Sequence, residues 1–95
     1  KLDGSDVHVE NEESRVMVRF RIDGLLHDVA ELTPETTKKL LSRIKLLSSL
    51  KINITDKPQD GRFTIKGQSG DVDVRVSIIP TVHGESVVMR LLRQG

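Results

Sequence analysis

Arg19, Arg21, Arg62, Arg75 and Arg90 are the residues of this sequence best equipped for chemistry, because each falls on the polar side of an alternating pattern or at a strand start. A guanidinium carries five donors in a rigid fork, which suits phosphate oxygens or carboxylates. Two uses of such a set stand side by side. The arginines bind an anion, or they pair across a sheet with acids such as Asp71 and Asp73, in pairs that contribute about 0–1 kcal/mol each. The pattern alone leaves this open.

Histidine supplies a second constellation. His8-Val9-Glu10 and His83-Gly84-Glu85 each set an imidazole two residues from a carboxylate, on one side of a strand. Exposed polar strand residues often fall this way, and no metal is expected. The chain has no cysteine, which rules out disulfides, thiol nucleophiles and thiolate metal sites. It also lacks a glycine-rich loop ending in Gly-Lys-Ser/Thr, a GxGxxG fingerprint, an HExxH helix and a GxSxG elbow. These 95 residues are therefore not expected to form an enzyme by themselves. Asn53-Ile54-Thr55 fits a glycosylation acceptor, but with no secretion signal it reads as a chance match.

The arginines need strands to carry them. Residues 15–22 alternate strictly, with Val16, Val18, Phe20 and Ile22 on one side and Arg15, Met17, Arg19 and Arg21 on the other. Asp23-Gly24 then makes a tight hairpin turn into a return strand, Leu25 to Glu31. A shorter strand, Asp6 to Glu10, precedes them. Thr33-Pro34-Glu35 starts a helix with a cap, a first-turn proline and an acid at the positive end. Its apolar stripe is Leu40, Leu41, Ile44, Leu47 and Leu50, and Lys38, Lys39, Arg43 and Lys45 fill a mostly solvated remainder. A polar connection over 51–61 ends in Lys57-Pro58-Gln59-Asp60-Gly61. Three strands follow: Arg62 to Gly67, Val72 to Ile79 stopped by Pro80, and, after a His83-Gly84 turn, Glu85 to Leu92. The order β-β-β-α-β-β-β predicts an α+β fold, a mainly antiparallel sheet with the helix packed on one face.

Composition agrees with one domain over 1–95: 36% of residues are hydrophobic and 31% charged. Fifteen Lys plus Arg offset fourteen Asp plus Glu, so no overall field draws in nucleic acid or anionic lipid. With two Phe and no Trp or Tyr there is no base-stacking platform. No apolar run approaches the ~20 residues of a membrane-spanning helix, so no membrane insertion is expected. A start at Lys1 and an end at Gly95, just after a strand pattern, suggest a segment of a longer protein.

Six strings in order then carry a resemblance: Ser5-Asp6-Val7-His8-Val9-Glu10, Arg19-Phe20-Arg21-Ile22-Asp23-Gly24, Ser42-Arg43-Ile44-Lys45, Pro58-Gln59-Asp60-Gly61-Arg62, Asp73-Val74-Arg75-Val76-Ser77, and Gly84-Glu85-Ser86-Val87-Val88-Met89-Arg90-Leu91-Leu92. Together they resemble the domain immediately before the motor domain in the type II secretion and type IV pilus assembly ATPases. That resemblance implies a PAS-like accessory domain of a hexameric ATPase whose nucleotide loop lies in a C-terminal RecA-like domain outside this chain. It implies that Arg75 and Arg90, with Arg62 as a third candidate, contact the ATP phosphates, and that Arg19 and Arg21 serve an inter-domain contact. ATP and Mg belong to the full-length protein, and no cofactor is expected for the domain by itself. The implied partners are its own and neighbouring motor domains in a hexamer and an inner-membrane assembly platform, with a cytoplasmic location peripheral to that membrane. Secretion and pilus roles are not separated. Two alternatives are a small-ligand-sensing PAS-like module and a purely structural subunit-docking domain. The chain departs from the family where an Ala-Glu and basic residues usually precede Pro-Gln-Asp-Gly-Arg, here Asn53 to Lys57, and where a proline often follows His-x-Glu, here Asn11.

Overall fold

The computed structural model describes residues 5–93. Among them, β1 (Ser5–Asn11), β2 (Val16–Ile22), β3 (Leu25–Leu32), α1 (Pro34–Leu47), β4 (Gln59–Ile65), β5 (Val72–Thr81) and β6 (Gly84–Arg93) follow one another along the chain. The strands form one antiparallel sheet in the order β3-β2-β1-β6-β5-β4, and the expected mainly antiparallel α+β class holds. Each half is a meander of three strands. Their union is the pairing of β1 with β6, which sets Asp6 opposite Arg90 and Val9 opposite Val87.

Alternation sorts the side chains. Val9, Val16, Val74, Val76, Ile78 and Val87 point to one face and enclose a core with Ile44 of α1, flanked by Leu40 and Leu41. The arginines take the other face. Asp23 and Gly24 both have positive φ, 52° and 81°, as the primed hairpin turn between β2 and β3 requires. Further along that hairpin the register slips, pairing Val18 with Ala30 but Arg19 with Asp28 and leaving Val29 over as a bulge. The slip sets an acid opposite Arg19.

The helix begins as its sequence predicts. Thr33 Oγ1 accepts the Thr36 N–H at 3.1 Å, Pro34 takes the first turn, and Glu35 lies at the positive end of the dipole. It ends at Leu47, short of the expected Leu50, and Leu47 is exposed rather than part of the stripe. The chain leaves through Ser49 in the left-handed region (φ 59°), with Leu50 N–H bonded to Lys45 O at 2.8 Å and Ser49 N–H to Leu46 O at 3.3 Å. That double bond pattern is the glycine-type helix stop, occupied here by a serine. Ser49→Gly is therefore expected to stabilise the chain by about 0.5–1 kcal/mol, read by urea unfolding, because glycine meets no Cβ penalty at that φ. A destabilised variant would show that the serine conformation costs nothing.

Two punctuation residues behave differently from their sequence reading. β4 starts at Gln59, not Arg62, because Gln59 anchors the connection: its Oε1 accepts Lys51 N–H and its Nε2 donates to Lys51 O, both at 2.9 Å. Gly61 makes no turn. It lies inside β4 where a Cβ would stand 2.7 Å from Ser48 O and 3.0 Å from Leu50 Cδ2, so it is the point where the helix end closes on the sheet. Gly61→Ala is expected to cost about 1–3 kcal/mol in the same assay, since backbone must move to admit the methyl. Wild-type stability in that variant would mean the contact is loose.

Pro80 likewise does not stop β5. It pairs with Glu85, beyond Ile78, the last β5 residue paired with β4, so no β4 partner is deprived of a donor. The hairpin turn falls on Val82 and His83, and Gly84 opens β6 at φ 132°, where a Cβ would meet the Asn11 side chain. Asn11 itself donates its backbone N–H to Ser86 Oγ at 3.0 Å, a bond that a proline at this position could not make.

Candidate functional site

The register of five adjacent strands lines up one row of side chains on the face away from α1. Reading across the sheet, Arg21 of β2 stands opposite Asp6 of β1, Asp6 opposite Arg90 of β6, Arg90 opposite Arg75 of β5, and Arg75 opposite Arg62 of β4. The row thus holds four guanidiniums and one carboxylate, and only Arg90 and Arg21 come within 4 Å of it. Neighbouring strands lie about 4.8 Å apart, so Arg62, Arg75 and Arg90 form a comb about 10 Å long.

Their partners are unequal. Arg90 Nε donates to Asp6 Oδ1 at 3.2 Å, while the Arg90 side chain keeps 60% of its exposure and Asp6 only 12%. Arg21 Nε is 3.9 Å from Asp6 Oδ2, and its Nη1 donates to Gly24 O at 3.5 Å. Arg62 and Arg75 are exposed and have no acidic partner among the described residues. The suggested acids are engaged elsewhere: Asp71 accepts from Lys66 and Asp73 from Thr64. Like charges directly opposite one another in a sheet are destabilising, so two arginines with no acidic partner among the described residues, beside a third, leave positive charge that an anion can offset. An open depression beside them is lined by Asp60, Arg62, Arg75 and Ser77, in which Asp60 accepts the Ser77 hydroxyl at 2.8 Å.

Arg19 stands one row away and is used up within the domain. Nε donates to Asp28 at 2.7 Å and Nη1 to Glu12 at 2.8 Å and to Glu10, so only 16% of the side chain is exposed. The Glu12 carboxylate, hydrogen-bonded to Arg19 and Arg15, holds Arg19 more firmly protonated than usual with help from Asp28, and is itself held below the usual carboxylate range. Of the two arginines expected to serve an inter-domain contact, only Arg21 stays exposed. The His-x-Glu pairs do not converge. His8 and Glu10 share the arginine face, whereas Glu85 turns under α1, and no group of three metal-ligating side chains gathers among the described residues.

Glu85 belongs to a feature that the sequence reading missed. Lys45, assigned there to the solvated side of α1, is 2% exposed, with Nζ donating to Glu85 Oε1 at 2.9 Å, Ile54 O at 3.0 Å and Ile52 O at 3.4 Å. Its position was legible: Lys45 follows Leu41 by one helical turn and adjoins Ile44, in the middle of the apolar stripe.

A family model described as "Type II/IV secretion system protein" matches residues 1–95. The chain belongs to the type II/IV secretion system protein family. Relatives agree along its length. It is 47% identical over 92 residues to "Type II secretion system protein E" of Xanthomonas campestris pv. campestris, covering 97% of this chain and 16% of that protein. "Type II secretion system ATPase E" of Vibrio cholerae is 44% identical over 97% of this chain and 18% of its own length. "Type IV pilus assembly ATPase PilB" of Myxococcus xanthus is 46% identical over 97% and 16%. The secretion-family chain thus spans less than a fifth of the length of these curated relatives. No helix among its described residues is long and apolar enough to cross a membrane.

Proposed function

We propose that this chain is the accessory domain that precedes the motor domain of a hexameric secretion or pilus ATPase, and that Arg75 and Arg90 reach the phosphates of ATP when the domain docks. Arg62 is the third donor of the same comb. The carrying observation is the row itself: three guanidiniums in direct register, two of them with no acidic partner among the described residues. The names of the Vibrio and Myxococcus relatives support ATP as the anion.

A triphosphate relieves the repulsion among the side-by-side cations. In exchange, the Arg75 and Arg90 forks offer donors where negative charge accumulates as the phosphoryl group transfers. Mg and the loop that cradles the nucleotide come from the motor domain. The exposed Arg21 suits a contact with a motor domain, and the Arg19 network braces the β2–β3 hairpin behind it. Docking on its own and neighbouring motor domains, and through them on an inner-membrane platform from the cytoplasmic side, completes the reading.

The test is ATP turnover of the full-length parent with Arg75→Ala and with Arg90→Ala. A loss on the order of 10³-fold in each is expected for arginines that act at the transition state. Unchanged turnover in both, with the domain folded, rejects the reading.

A further inference from the structure

We infer that Asp6 is a positioning residue for Arg90, presetting that guanidinium so that its outer edge meets the anion. The inference rests on the reading above that Arg90 contacts phosphate. Asp6 is the one carboxylate in the arginine row, on the strand between β2 and β6, and it is the less exposed partner of the pair. It grips Arg90 at Nε, the inner nitrogen of the fork. The two terminal nitrogens of Arg90 make no hydrogen bond to the described residues, and they form the edge that binds phosphate oxygens in pairs.

A second cation stands by Asp6: its other oxygen lies 3.9 Å from Arg21 Nε, and Asp6 keeps only 12% of its side-chain exposure. Arg90 needs such an anchor because Arg75 stands directly across the strand boundary and repels it. Without Asp6 the Arg90 side chain would swing to where the cations are farthest apart. Arg75 and Arg62 have no comparable anchor among the described residues, so the comb contains one preset donor and two that adapt to the anion. A donor fixed before the reaction costs no reorganisation during it, and misplacing a reacting group by about 1 Å can cost about a hundredfold in rate.

Steady-state ATP kinetics of the full-length parent decide it, with Asp6→Ala, Asp6→Asn, Arg90→Ala and the double Asp6→Ala/Arg90→Ala variant. Asp6→Ala is expected to lower kcat about ten- to a hundredfold with KM nearly unchanged, since the loss falls in the transition state. Asp6→Asn keeps an oxygen that accepts from Nε and should recover most of the rate, which a general loss of negative charge would not allow. The double variant should be no slower than Arg90→Ala alone, because Asp6 acts only through Arg90. Should Asp6→Ala fail to fold, Asp6→Val, better suited to a strand, carries the same measurement. Unchanged kcat in Asp6→Ala, or losses that multiply in the double variant, overturn the inference while a slow Arg90→Ala leaves the phosphate reading standing. An Arg90→Ala variant with normal turnover removes both.

Discussion

Glu85→Ala is expected to destabilise the chain by about 3–5 kcal/mol, a large share of the about 5–15 kcal/mol that holds a small domain folded. The Lys45 ammonium has three N–H groups and three acceptors: Glu85 Oε1, Ile54 O and Ile52 O. Only Glu85 carries charge. Removing it leaves a cation that is 2% exposed on two neutral carbonyls, and a buried charge without its counter-charge is the costly case. The converse variant, Lys45→Met, leaves a carboxylate whose Oε2 already has no hydrogen-bond partner, so it should cost a similar amount. Replacing both, as Lys45→Met with Glu85→Leu, should restore most of the loss, because the pair's mutual attraction mainly offsets its own desolvation. Urea unfolding of the four forms measures this as a double-mutant cycle. A loss below about 1 kcal/mol in Glu85→Ala would mean that water reaches the pair.

That pair bears on the arginine face because it fixes where β6 begins. Lys45 gathers the second half of α1, the connection at residues 52–54 and the first turn of β6 onto one nitrogen, while Asn11 and Ser86 bond just beside it. β6 then runs from that anchor to Arg90. The stretch Asn53 to Lys57 contributes through backbone: the Ile54 carbonyl accepts from both Lys45 and Gln59.

The faces of the sheet were legible in the sequence, because period-two alternation in β2, β5 and β6 fixes which residues share a side. The row was not. Arg62, Arg75 and Arg90 become neighbours only through the pairing of β4, β5 and β6, and alternation says nothing about which residues of different strands stand opposite. The acids also escaped a local reading. Arg90 found Asp6, 84 residues away, and Arg19 found Asp28 only because Val29 bulges. Lys45, Gly61 and Pro80 were misjudged for a shared reason. Each residue type has a usual role, solvated cation, turn or strand stop, which a tertiary contact displaced: a buried carboxylate, a helix end against the sheet, and an unpaired strand margin. The ordered strings did better, since Lys45, Gly61 and Glu85 all lie within them.

Arg75→Ala separates binding from stability by moving them in opposite directions. In the parent protein it is expected to lower ATP turnover on the order of 10³-fold. In this chain it should leave the fold no less stable, and more stable by about 0.2–1 kcal/mol, because Arg75 is flanked in register by Arg62 on one side and Arg90 on the other. Arg90→Ala should differ: it removes the same repulsion but also releases Asp6 from its closest cation, so its stability change falls near zero. Raising salt should shrink the Arg75→Ala gain, since the repulsion it removes is between exposed charges that ions screen within about 10 Å at 0.1 M. Thermal unfolding at low and high salt, beside turnover of the parent, reads all three quantities. A residue kept only for packing would lose stability and activity together. One kept to meet an anion carries its cost in the empty state and repays it when the phosphate arrives, and an Arg75→Ala variant that loses stability and turnover together would show the first kind.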